Sequence, residues 1–232
     1  LKFLEKCEIK YHKVASSELT NIQLLKFLSK TKKILFVSTG MSDINDVKQA
    51  IKILKKHNKK IVILQCGSLY PLSYEKNNLN VLNNYKKFNL PVGLSDHSLD
   101  SIAAITAIGL GAIVFEKHFT DDNSREGPDH KFAMNPQSWR EMVDRANEVY
   151  LALGDGNKII EENEKETAVV QRRGLYFTKD LLEGHFLEHN DLFPLRPRHL
   201  DGIPPYEIVN LVGKELKRNV KADDYICRED VE

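Results

Sequence analysis

His97 and His118 stand just past two short apolar runs, residues 92–94 and 112–115, which are separated by one helix-like segment. Consecutive strands of a parallel sheet lie side by side, so the two imidazoles should meet at the carboxyl edge of such a sheet. Neutral imidazoles with carboxylates close by suit Mn, Fe, Co or Zn better than Mg. The pair reads either as a metal site or as two structural histidines. Glu116 precedes His118 by two residues, and the alternation of a strand turns both side chains to one face. Glu116 can therefore serve the same site or act as a salt-bridged structural carboxylate. His57 and His185 have no comparable setting and read as ordinary structural residues.

The other run ends repeat a second chemistry. Lys13, Ser16 and Glu18 lie at or after the run 11–15; Ser38, Thr39 and Gly40 follow 34–37; Ser68 and Tyr70 follow 61–66; Ser95 and Asp96 follow 92–94. One ammonium among several hydroxyls makes a ring of donors for a ligand carrying phosphate and carboxylate. Any one of these residues reads equally well as a solvated lysine or a turn serine, so the recurrence at strand ends carries the reading. Asp129, in Gly127-Pro128-Asp129-His130, is either part of a turn or a partner for a sugar hydroxyl.

Elements that would place these residues are legible as a βαβ alternation from 11 to about 153. Five strands are expected, at 11–15, 34–37, 61–66, 92–94 and 112–115. Ser42 is the expected N-cap of a helix with Ile44, Val47, Ile51 and Leu54 on one face. Asp100 should precede a helix over 101–108, closed by Gly109 and Gly111. Asn135 and Pro136 open a long helix with Trp139, Met142, Val143, Ala146, Val149 and Leu153 in a stripe, and Gly154 ends it. Residues 157–167 are rich in glutamate and read as a linker with a short solvated helix. Beyond it, 174–177 and 191–195 read as strands and 206–212 as one short helix of a small domain. The expected division is 1–155, a linker at 156–170, and 171–232.

Composition narrows the function classes. With 41% hydrophobic residues the chain can bury a sizeable core, and a net charge of +1 gives no bulk field for nucleic acid or a membrane surface. The longest apolar stretch, 103–115, is too short to span a bilayer, which takes about 20 residues. Three cysteines without metal-type spacing point to reduced thiols and a cytoplasmic setting. The chain starts at Leu1, which fits a fragment of a longer protein.

In this order, the motifs resemble the N-acetylneuraminate (sialic acid) synthase family, which includes the legionaminic and pseudaminic acid synthases. They are KVASSE from Lys13, VSTGM from Val37, SLYP from Ser68, GLSDH, EKHFT and GPDH, then QRRGLYFTKDLLEGHF and LRPRHLDGIPPYEIVNLVGK. The resemblance implies a TIM (β/α)8 barrel of which strands four to eight are present, followed by a small antifreeze-like (SAF) β domain. It implies condensation of phosphoenolpyruvate with an N-acylated amino sugar, N-acetylmannosamine or a related 2,4-diacetamido sugar. It assigns Lys13, Ser16, Ser38, Ser68 and Ser95 to phosphoenolpyruvate; Tyr70, Asp129 and Arg196 to the sugar; and Glu116 and Glu18 to the reacting centre. His97 and His118 would hold a divalent metal, Mn in first place with Mg or Co as alternatives. It also implies a domain-swapped homodimer, with Arg196 reaching the partner's barrel. Departures from the family pattern are Ser17 in place of glycine, Gln65 and Gly67 in the third motif, and a longer loop at 198–201. Competing readings are a non-catalytic sugar-binding remnant and another phosphoenolpyruvate-dependent aldol synthase.

Overall fold

In the computed structural model, the five apolar runs become β1 (Tyr11–Val14), β2 (Ile34–Ser38), β3 (Ile61–Cys66), β4 (Val92–Asp96) and β5 (Ala112–Lys117). They pair in parallel and in chain order. Residues 2–231 are described. Three strands run further than the apolar residues suggest, taking in Ser38, Ser95 and Asp96, and Glu116 and Lys117. Ladder hydrogen bonds with a neighbour, not side-chain hydrophobicity, decide where a strand stops. β1 ends earlier, at Val14, because Ala15 already leads into a 3-10 turn over Ser16–Glu18.

The sheet is curled. Lys13 on β1 and Glu116 on β5 occupy opposite edges, four strand spacings apart, which would be about 19 Å in a flat sheet. Their side chains nevertheless meet, with Lys13 Nζ 3.2 Å from Glu116 Oε2. The concave face is thus the inside of a half-barrel, and its two outer edges are unpaired among the described residues.

Helices cover the convex face. After α1 (Lys2–Lys6), α2 (Ile22–Thr31) and α3 (Ile44–Leu54) set Leu25, Leu28, Val47 and Leu54 in one core with Leu35, Val37, Ile61 and Ile63. α4 (Val81–Tyr85) and α5 (Ile102–Gly109) add Leu82, Ala103 and Ala107 to it. Asp43, not Ser42, caps α3. Its carboxylate accepts the N–H groups of Asn45 and Asp46, the Asp46 side chain reaches back to the Asp43 N–H, and Ser42 donates to the Gly40 carbonyl. α5 begins one residue later than expected and runs through Gly109, leaving Gly111, with φ +86, to make the turn. α6 (Pro136–Leu153) has the expected ends: the Asn135 side chain accepts the Ser138 N–H, Pro136 opens the helix, and Gly154 follows it with φ +60.

The chain divides into two compact units, Leu1–Gly156 and Asn157–Glu232. In the second, the glutamate-rich run becomes a 3-10 turn over Glu162–Glu164 and α7 (Lys165–Gln171). β6 (Gly174–Phe177) pairs antiparallel with β7 (Leu192–Leu195), which starts one residue later than expected. Asp191 is instead a buried anchor for Lys179 and His185, at 2.8 and 2.7 Å. α8 (Ile208–Leu211) is shorter than 206–212, because Pro205 opens a 3-10 turn ahead of it. Leu175, Phe177, Leu187, Leu216 and Ile226 form a separate core. Among the described residues, no helix is long and apolar enough to cross a membrane.

Candidate active site

Strand alternation divides the sheet residues between two chemistries. Val14, Val37, Leu94 and Phe115 join the helix-side core. Their neighbours Lys13, Ser38, Ser95 and Glu116 line a cavity of about 430 Å³ at the carboxyl edge. Ser16, Ser68, Tyr70, His97 and His118 complete the expected lining, together with Ser17, Met41 and Cys66.

One end of the cavity is rich in hydroxyls. Gly40 N–H donates to Ser16 Oγ at 3.0 Å, and Ser16 Oγ in turn faces Cys66 Sγ at 3.4 Å. Ser38 Oγ and Ser68 Oγ are buried without a hydrogen-bond partner among the described residues. Buried hydroxyls are rarely left unsatisfied, so two in one cavity suit a ligand that carries acceptor oxygens. Gly40 makes the approach possible: a Cβ there would lie 2.1 Å from Ser68 Oγ and 2.8 Å from Ser16 Oγ. Toward the β5 edge, Glu116 Oε2 accepts from Ser95 Oγ at 2.7 Å and faces Lys13.

Aromatic rings occupy the other end. The centroids of His97 and His118 are 5.3 Å apart, with Tyr70 4.1 Å from His97 and Phe132 5.1 Å from His118. His97 Nδ1 lies 2.7 Å from the Gly67 carbonyl oxygen. That contact is a donation from Nδ1–H, which leaves Nε2 as the nitrogen for a second partner. His118 Nδ1 is 3.5 Å from Asp129 Oδ2. Burial holds the pKa of His118 below the ordinary histidine value, with His97 adding to the effect and Asp129 opposing it. A neutral ring is the form that ligates metal. Two facing imidazoles are a donor pair of the kind that divalent ions accept. No cluster of three or more His, Cys, Asp or Glu side chains suited to a metal occurs among the described residues.

Burial alone would raise the pKa of the Cys66 thiol, but hydrogen bonds from His97, Ser16 and Ser95 outweigh it and the net shift is downward. At His97 burial works against the charged ring, and Cys66 and the Gly67 carbonyl overcome it. Burial raises the Tyr70 phenol, with Cys66, Asp129 and Glu116 adding to the shift.

Three sequence candidates, Glu18, Asp129 and Arg196, are not among the lining residues. Glu18 accepts from Asn21 Nδ2 at 2.7 Å. Arg196 belongs to the second unit. The carboxylates that could have held Arg196 in its own domain are engaged elsewhere, Asp191 by Lys179 and His185, and Asp201 by the Tyr225 hydroxyl. Asp129 reaches the site through its contact with His118. Sequence reasoning passed over Cys66, Met41 and the steric role of Gly40. Alternation from Leu64 would have turned Cys66 inward, whereas Met41, with φ +57, occupies a conformation no periodicity signals.

A curled parallel sheet with paired imidazoles and unsatisfied hydroxyls at its strand ends defines an α/β strand-end site for a small polar ligand. Comparison with known proteins is more specific. Residues 1–158 match the NeuB family and residues 172–232 match the SAF domain. The chain belongs to the NeuB family. It is 37% identical to N,N'-diacetyllegionaminic acid synthase of Legionella pneumophila over 100% of this chain and 66% of that protein. It is 34% identical to pseudaminic acid synthase of Campylobacter jejuni over 99% of this chain and 67% of that protein. The crystal structure of N-acetylneuraminic acid synthetase from Leptospira borgpetersenii covers 72% of this chain, and 59% of that chain is matched, with a TM-score of 0.68 at 28% identity. The chain spans about two thirds of the length of the two synthases.

Proposed function

We propose that the protein joins phosphoenolpyruvate to an N-acylated amino sugar, N-acetylmannosamine or a 2,4-diacetamido relative, giving a nine-carbon sialic-acid-type 2-keto acid and phosphate. The carrying observation is the pair of unpartnered hydroxyls, Ser38 and Ser68, in the same cavity as the His97–His118 pair. The named relatives make acids of this class.

In this reading Lys13, Ser16, Ser38, Ser68 and Ser95 hold the phosphate and carboxylate, and their donors neutralise charge on the departing phosphate. C3 of phosphoenolpyruvate attacks the aldehyde carbon of the open-chain sugar. Water adds at C2, and the C2–O bond to phosphate breaks. Glu116 faces that centre and takes a proton from the water or stabilises positive charge at C2. His97 and His118 hold a divalent ion, Mn in first place with Mg or Co as alternatives, which supplies Lewis acidity toward the aldehyde oxygen. Tyr70, Asp129 and Arg196 orient the sugar. Glu18, turned to Asn21, has no part in this assignment. Arg196 acting from a second subunit would make a homodimer the working unit, and three unpaired thiols suit a cytoplasmic setting.

Phosphate release coupled to colour, measured with the full-length protein across N-acyl amino sugars and with Mn, Co or Mg, tests the reading. Release should require both substrates and match keto acid formed mole for mole. Absence of release with every sugar and ion would overturn it.

A further inference from the structure

Asp96 and Lys117 immediately precede His97 and His118, and they are partners in the last rung of the β4–β5 ladder. Their side chains are 0% and 2% exposed and form an ion pair, Lys117 Nζ to Asp96 Oδ2, at 2.7 Å. Alternation sets them on the strand face of Leu94 and Phe115, with their charged ends buried, although Lys117 also contributes to the cavity wall. The network closes on the loop after β4: Lys117 Nζ also donates to the Ser98 carbonyl at 2.7 Å, and Ser98 N–H donates to Asp96 Oδ1 at 2.8 Å.

Taking two charges out of water is expensive, and a well-packed apolar pair would stabilise the sheet as well or better. An apolar pair, however, is non-directional and tolerates sliding, whereas a short ion pair with two backbone contacts fixes stagger and distance. Past Asp96 and Lys117 the two chains no longer share ladder bonds, so this is the last place where the separation of the histidines can be set.

We infer that Asp96 and Lys117 are positioning residues, a buried clamp that holds His97 and His118 at the spacing their joint site requires. The inference rests on the reading of those histidines as a pair that binds a divalent ion. Of the residues assigned to phosphoenolpyruvate only Ser95 adjoins the clamp, whereas Lys13, Ser16, Ser38 and Ser68 stand on or just after β1, β2 and β3, so anion binding is the internal comparison.

The test uses full-length wild type, Lys117→Gln and the neutral pair Asp96→Asn/Lys117→Gln, which keeps polar packing without a lone buried charge. Mn²⁺ affinity is read from the electron paramagnetic resonance of the free ion, phosphoenolpyruvate affinity by calorimetry, and ring geometry from ¹⁵N-histidine spectra of metal-free protein. Ring signals are assigned with His97→Ala and His118→Ala. Lys117→Gln should weaken Mn²⁺ binding about tenfold or more, the range seen when outer-shell partners of ligating histidines are removed. Both ring signals should move or broaden, phosphoenolpyruvate affinity should stay within about twofold, and the neutral pair should restore part of the Mn²⁺ affinity. If either histidine can be replaced without loss of Mn²⁺, the metal reading fails, and the ring signals alone decide the clamp. Folded Lys117→Gln, or the folded neutral pair should the single variant not fold, with ring signals and Mn²⁺ affinity both like wild type would overturn the inference.

Discussion

Gly40 has no side chain, and the hydroxyls around it show why that matters. A methyl group there would have to displace both Ser68 Oγ and Ser16 Oγ, at 2.1 and 2.8 Å, and neither movement leaves the anion end of the cavity intact. Gly40→Ala should therefore weaken phosphoenolpyruvate about tenfold or more, the worth of one hydrogen bond to a charged group. Mn²⁺ affinity should be unchanged, since the imidazoles are on other strands. Isothermal titration of each ligand checks this, and equal losses for both would point to general damage. At this scale strand alternation made much of the candidate site readable: it brought Glu116 and His118 to one side, and it turned Lys13, Ser38 and Ser95 to one face of the sheet. Glu18 falls in a 3-10 turn, where alternation has no force, and its side chain accepts from Asn21. The clearance at Gly40 depends on a contact between three strand ends, a quantity absent from any one segment.

Elements show the same division between local and non-local causes. The ends of α6 were legible because Asn135, Pro136 and Gly154 act on their own backbone. Strand lengths were not, because Ser38, Asp96 and Lys117 are polar and join the sheet through neighbours 20 or more residues away. The start of β7 adds a testable case. Burial alone would raise the pKa of Asp191, but the Lys179 ammonium, the Glu188 N–H and His185 overcome it and hold the carboxyl at about 2 against an ordinary 3.8. A depressed carboxyl pKa means that the folded form binds its proton less readily than the unfolded chain. The stabilisation is therefore complete above about pH 4 and is lost as pH falls through about 2. It amounts to at most about 2 kcal/mol, reduced because Lys179 is more than half exposed. The stability gap between wild type and Asp191→Asn, from urea unfolding followed at β6 and β7, should close between about pH 5 and about pH 2. A constant gap would mean that the carboxylate's charge contributes nothing.

At the scale of the whole molecule, the proposed function asks Arg196, a residue of the second unit, to serve the chemistry of a barrel. Arg196 follows β7 directly and precedes Pro197, which fixes the backbone beside it, so its guanidinium is offered by a pre-set loop. A planar five-donor group suits the carbonyl and hydroxyls of an N-acyl sugar. Under the proposed function, that offer is made to the barrel of a second copy, which makes each site a product of two chains. The consequence is complementation. In full-length protein, Arg196→Ala leaves a sound barrel but no arginine to give, and His118→Ala has the arginine but no competent metal pair. Each alone should be inactive or nearly so. After dissociation and random re-pairing at equal amounts, half of the dimers are hybrid, and each hybrid contains one intact site of two. About a quarter of wild-type activity per chain should return, as two-fold symmetry requires. Labelled subunits and native mass spectrometry establish the exchange independently. Exchange without recovered activity would place Arg196 in its own chain's site or outside the chemistry, and would remove the argument for a dimer as the working unit.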